Sequence, residues 1–118
     1  MNLTNFGKFI RNYRMDHRIL LKQMADRLGI SSAFLSSVET GSKQIPQDLE
    51  SKLVEAYYFT NEEKYSLYTA IDTSRTQSTI SVAQKPLDQM LMGAFCRNLD
   101  ALDDKKKQEL LELLKGVK

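Results

Sequence analysis

An all-α chain is predicted: a five-helix domain, a short polar linker and two C-terminal helices. Three observations predict it. Apolar residues recur every three or four positions through most of the 118 residues, the period of a helix face turned toward a core. Glycine, proline and short hydroxyl residues fall between these runs, where helices start and stop. Only Thr79–Val82 alternates polar with apolar, which allows a short strand, and a lone strand needs a partner.

The elements follow in order. The first helix is expected over about Leu3–Asp16, with Phe6, Phe9, Ile10 and Tyr13 as a buried stripe and Asn2 or Thr4 as its cap. The second runs over about Leu21–Leu28, with Leu21, Met24, Ala25 and Leu28 inward, and Gly29 stops it in the left-handed conformation. The third runs over about Ser32–Thr40, with Ser31 as its N-cap, Leu35 and Val38 inward, and Gly41 at its end. Pro46 suits the first turn of a fourth helix whose apolar face is Leu49, Leu53, Ala56 and Tyr57. Thr60 and Glu63 form a capping box for a fifth, with Tyr65, Tyr68 and Ile71 inward and Leu67 at the edge. This domain occupies residues 1–74. The polar stretch 75–85 is a linker. Residues 86–118 hold a sixth helix over about Leu87–Leu99 and a seventh over about Asp103–Lys115 behind the basic turn Lys105–Lys107.

Composition excludes several function classes. At this length roughly two thirds of the unfolded chain's surface can be buried, so no staple is required. One cysteine, Cys96, and one histidine, His17, build neither a disulfide framework nor a structural zinc site. Cys96 is expected as a small core hydrophobe and His17 at the surface end of the first helix. No Ser/His/Asp set, paired-carboxylate cleft or phosphate-cradling glycine loop is visible, so no enzyme, cofactor or metal is expected. No stretch reaches transmembrane length, and the N-terminus lacks the apolar run of a signal peptide, so a cytoplasmic protein is expected. Charge is uneven: residues 1–45 carry seven basic against three acidic residues, and 46–75 carry three against six. The positive end suits a polyanion.

The most informative stretch is Leu21–Pro46, LKQMADRLGISSAFLSSVETGSKQIP. Ala25, Gly29, Ile30, Leu35, Val38, Glu39, Gly41 and Pro46 occupy the positions of a helix-turn-helix, in which the second helix is a probe for the DNA major groove. On these residues the chain resembles the Xre family of helix-turn-helix regulators, the group of the lambdoid phage repressors and Cro proteins. The resemblance covers roughly residues 5–72 and is specific over Leu21–Pro46. It implies a lambda-repressor-like fold and double-stranded DNA as partner. It implies base contacts from Ser32, Ala33, Ser36 and Ser37, all short, so specificity would lean on close approach, groove shape and half-site spacing. Backbone or edge contacts would come from Lys22, Phe34, Lys43 and Gln44, with amides at the start of the fourth helix. For Phe34, packing against the second helix as core is an equal alternative. Arg14 and Glu39 match a family ion pair that holds the fold. The chain departs from the family at Leu20 and Leu21, where many members carry a polar cap and a phosphate-gripping glutamine; Lys22 is the candidate replacement.

The resemblance also implies a transcriptional regulator, a repressor acting as a homodimer on an inverted repeat, in a bacterial or phage nucleoid. The apolar faces within Leu87–Leu99 and Leu110–Leu114 can pack on each other, on the first domain or on a second subunit; the last is the favoured reading and makes Leu87, Met90, Leu91, Phe95, Leu110 and Leu114 the expected dimerisation residues, with Thr79–Val82 pairing across the two-fold axis. The competing reading is an antitoxin-type regulator that holds a toxin-like protein through residues 76–118 and autoregulates its own operon. A third is an interaction module that has lost DNA binding.

Overall fold

Thr4 decides where the first helix begins. Its hydroxyl accepts the Gly7 N–H at 3.0 Å, so α1 runs Asn5–His17 and not from Leu3. The computed structural model describes residues 2–75, 80, 82 and 84–117, and every regular element among them is helical. After α1 come α2 (Leu21–Leu28), α3 (Ser32–Thr40), α4 (Leu49–Tyr57) and α5 (Asn61–Ser74). Then follow α6 (Pro86–Asn98), a single 3-10 turn (Leu99–Ala101) and α7 (Asp104–Lys115). The chain divides into two compact units, Met1–Ser78 and Thr79–Lys118. The strand considered at Thr79–Val82 falls on a stretch in which 76–79, 81 and 83 lie outside the described residues.

In the first unit α1 packs on α5 and α3, α2 on α3 and α4, and α4 on α5. Phe6, Ile10, Met24, Leu28, Leu35, Val38, Leu49, Leu53, Leu67 and Ile71 meet in one buried cluster. Polar caps close the helix ends around it. Thr60 accepts the Glu63 N–H while the Glu63 carboxylate accepts the Thr60 N–H, the reciprocal box its spacing predicts. Two C-caps take left-handed backbone without glycine, Arg18 (φ 55°) and Tyr58 (φ 50°), a conformation that costs a side-chain-bearing residue on the order of 1 kcal/mol.

Two further expectations for the first unit need correction. α5 turns Leu67, Ala70 and Ile71 inward, and Tyr65 and Tyr68 are exposed. The reason lies one turn further on: Ser74 accepts the Phe6 N–H at 2.9 Å, which fixes the 67–70–71–74 face against α1. The tyrosines then fall on the shoulder, where a phenol can keep its hydroxyl in water. Pro46 is not in the first turn of α4. Its carbonyl accepts the Leu49 N–H at 3.2 Å in a turn ahead of the helix, whose N-cap is Asp48.

Phe59, between α4 and α5, carries no periodic signal yet is buried. It stacks at a tilt on Tyr13 (4.9 Å between centroids) and edge-on to Phe9 (6.1 Å). Tyr13 also meets Tyr57 and lies against exposed His17. Burial raises the phenol pKa of Tyr13, helped by the Glu63 carboxylate, and burial likewise raises that of Tyr57. A raised folded-state pKa makes this cluster's contribution complete below the ordinary tyrosine range and weaker as pH climbs through it.

In the second unit Pro86 fits the first turn of α6, and Asp103 caps α7 by accepting the Lys106 N–H at 2.8 Å. No side chain of either helix is buried. Cys96 is therefore exposed, not the core residue expected. Among the described residues no helix is long and apolar enough to cross a membrane.

Candidate nucleic-acid interface

The corner between α2 and α3 is built by backbone. Gly29 takes φ 75°, and its N–H reaches the Asp26 carbonyl (3.2 Å) while the Ile30 N–H reaches that of Ala25 (3.0 Å). Satisfying the last carbonyls of α2 in this way turns the chain sharply without leaving orphan acceptors. Ser31 then accepts the Phe34 N–H at 3.0 Å and starts α3. At the far end Gly41, at φ 84°, closes α3. The Lys43 N–H bonds the Ser37 carbonyl at 3.1 Å, which folds the following loop back along the helix.

One side of α3 is locked. Leu35, Val38 and Glu39 are buried. Glu39 would be an isolated buried carboxylate without Arg14, whose Nη1 donates to Oε2 and whose Nη2 donates to Oε1 at 3.1 Å. The same Nη1 lies 3.8 Å from the Met24 sulfur. One α3–α1 pair thus neutralises the acid on the helix. The α3 end is also held by Thr4, whose N–H and hydroxyl both donate to the Glu39 carbonyl at 3.0 Å. Gly7 sits against that carbonyl, and a Cβ at Gly7 would overlap it. Nothing in the sequence distinguishes Thr4 and Gly7 from ordinary helix-start residues; a glycine inside an expected helix, beside Phe6, is the available signal.

Helical geometry places Ala33, Ser36 and Ser37 on the side opposite the locked one. Ala33 is exposed, and Ser36 and Ser37 are half-buried. Ser32 is half-buried at the first turn, on a flank. Thr40 shares the outward side, one turn beyond Ser36 and Ser37. Sequence reasoning passed over it although the period points to it. Its hydroxyl bonds the Ser37 carbonyl at 3.2 Å and meets the Ser42 hydroxyl. Phe34 stands on the other flank, half-buried and packed against the core cluster. The outward edge of α3 is therefore short and uncharged.

Positive charge comes from the rim. Lys43 and Gln44 are exposed in the loop after α3. Lys22 stands in the first turn of α2, 3.4 Å from Asp26, both largely in water, where such a pair contributes little. The α2 start lacks a polar cap; instead Gln23 Oε1 accepts the Leu20 N–H at 2.8 Å. Arg27 is engaged over the Tyr57 ring at 4.9 Å. The start of α4 differs from expectation. Its N-cap is Asp48, held below the ordinary carboxylate range by its hydrogen bond to Lys52. An ionised carboxylate at that end disfavours a phosphate there. The dimerisation residues named from the sequence, Leu87, Met90, Leu91, Phe95, Leu110 and Leu114, are all exposed on α6 and α7. Among the described residues no group of three or more His, Cys, Asp or Glu side chains is placed to hold a metal.

Two uncharacterised HTH-type transcriptional regulators of Mycobacterium tuberculosis, from strains CDC 1551 and H37Rv, are similar to this chain. Each is 31% identical over 70 residues, 59% of this chain and 50% of the relative. The chain thus spans about half the length of the curated relatives it matches. No protein-family profile and no solved structure matches it.

Proposed function

We propose that this protein is a sequence-specific DNA-binding transcriptional regulator of the Xre type, a repressor that binds an inverted repeat as a homodimer. The observation that carries the reading is α3: core-locked on one side by Leu35, Val38 and the Arg14–Glu39 pair, and outward on the other with only short side chains. A helix so held approaches a groove floor without rearranging. Ser32, Ser36 and Ser37 donate to or accept from base edges, and Ala33 packs on a thymine methyl. Lys22, Lys43 and Gln44 hold the phosphates on either side, and Phe34 lies at the sugar edge. The similarity to regulators named for a helix-turn-helix supports the same reading.

The test is selection of random duplexes by the purified protein, repeated with Ser32→Glu and Ser37→Glu. The expected outcome is a two-fold symmetric motif enriched by the parent and lost in both variants, because a carboxylate meets the phosphate-lined groove. Enrichment of the same motif by both variants rules out α3 as the reading element.

A further inference from the structure

The hydroxyl groups at the end of α3 form a directed chain. Gly41, at φ 84°, turns the backbone past the helix end, and the Lys43 N–H donates to the Ser37 carbonyl at 3.1 Å. Ser42 lies between these two fixed points and is exposed. Its hydroxyl meets that of Thr40 at 3.2 Å. Distance alone lets either oxygen donate. The Ser37 carbonyl decides, because a carbonyl only accepts. The Thr40 hydroxyl lies 3.2 Å from that carbonyl and has a single proton to give it. The carbonyl then accepts from both Lys43 and Thr40, which fills its two lone pairs. Ser42 must therefore donate its own proton to Thr40. What Ser42 turns to solvent is an oxygen with lone pairs only. The pair also sits on the outward side of α3, since Thr40 follows Ala33 by seven residues, roughly 10 Å along the axis. It meets a different part of a groove from Ala33.

We propose that Thr40 and Ser42 determine specificity at one base pair: Ser42 accepts from the exocyclic amino group of a base, adenine N6 or cytosine N4, and Thr40 sets Ser42 as an acceptor. This inference rests on the DNA-binding reading above and adds to it a base contact outside the α3 residues already named. In the major groove an oxygen that only accepts matches the amino-bearing edges; guanine O6 and thymine O4 are themselves acceptors and oppose it, lone pair to lone pair. Phosphate oxygens are acceptors too, so the same orientation leaves the backbone to Lys43 and Gln44 beside it. A serine whose hydroxyl rotates freely accepts or donates and distinguishes bases poorly. Held by Thr40, it becomes selective without a long side chain, which suits an α3 edge whose outward residues are all short.

The experiment is selection of random duplexes by the full-length chain and by Thr40→Val, Thr40→Ser and Ser42→Ala, each variant checked for helicity by circular dichroism. At one position of each half-site the parent is expected to favour adenine or cytosine over guanine and thymine by at least about 5-fold, as for a single mismatched pair. The motif itself shows which of the two amino-bearing bases prevails. Thr40→Val keeps the shape but removes the hydroxyl and frees the Ser42 proton, so the preference at that position falls below about 2-fold while the other positions keep theirs. Ser42→Ala loses the same preference, and Thr40→Ser retains it. Should Thr40→Val fail to fold, Ser42→Ala, at an exposed position, carries the test together with Thr40→Ser. A preference for guanine or thymine at the position that Ser42→Ala relaxes overturns the proposal. So does a uniform loss of affinity across sequences in Ser42→Ala, which would make Ser42 a phosphate contact. A parent motif lost in Ser32→Glu and Ser37→Glu but untouched by Thr40→Val and Ser42→Ala rejects this inference and keeps the DNA reading; a parent that selects no motif rejects both.

Discussion

Glu39 is a buried acid on the helix assigned to meet a polyanion, and Arg14 makes that tolerable. The two-point contact to the guanidinium cancels its charge inside the core. Breaking such a pair strands an ion in an apolar setting, which costs far more than the intact pair contributes. Arg14→Ala is therefore expected to lower stability by about 3–5 kcal/mol, seen as a large drop in thermal midpoint. A loss under about 1 kcal/mol would class the pair with loose surface ion pairs. The pairing was legible in the sequence because it rests on two residues matching a familiar register. Cys96 was not, because a small apolar residue in a helical period reads as core, and nothing local in the sequence shows that this side of α6 is exposed.

At the scale of elements, the helix-turn-helix was legible because its signals are local. Gly29, Ser31 and Gly41 each act within four residues of their own position, and backbone caps do not depend on the rest of the fold. The phase of α5 was not legible. Tyrosine and leucine offer similar apolar bulk, so the pattern admitted two faces; the choice was made by Ser74 meeting the start of α1, 68 positions away in sequence. Gly7's part in the α1–α3 crossing was missed for the same reason, since only tertiary approach gives it that role. Gly7→Ala is expected to destabilise the first unit by about 1–3 kcal/mol, because the added methyl forces α1 off the Glu39 carbonyl. Denaturant unfolding checks this, and an unchanged midpoint would show that the crossing has slack.

At the scale of the whole molecule, affinity for DNA is expected to be electrostatic in origin and shape-dependent in selectivity. The outward edge of α3 has no charged side chain, so on the proposed reading phosphate contacts are expected to carry most of the binding. Log affinity should then fall linearly with log salt, and Lys43→Gln or Lys22→Gln should each flatten the slope by about 2 for a dimer, one released counterion per subunit. Filter binding at several salt concentrations measures it. A variant that loses affinity with no change of slope would place that lysine away from the phosphates.

The short outward side chains of α3 have a consequence for what this scaffold tolerates. Ala33, Ser36 and Ser37 are not core residues, and the helix that bears them is fastened from behind by Leu35, Val38 and a neutralised acid. Their side chains carry none of the core contacts that fasten it, although Ser36 and Ser37 are half-buried. If these three places read a groove as proposed, small new side chains there are expected to be exchangeable like type in a printer's frame, altering the message while the frame stays shut.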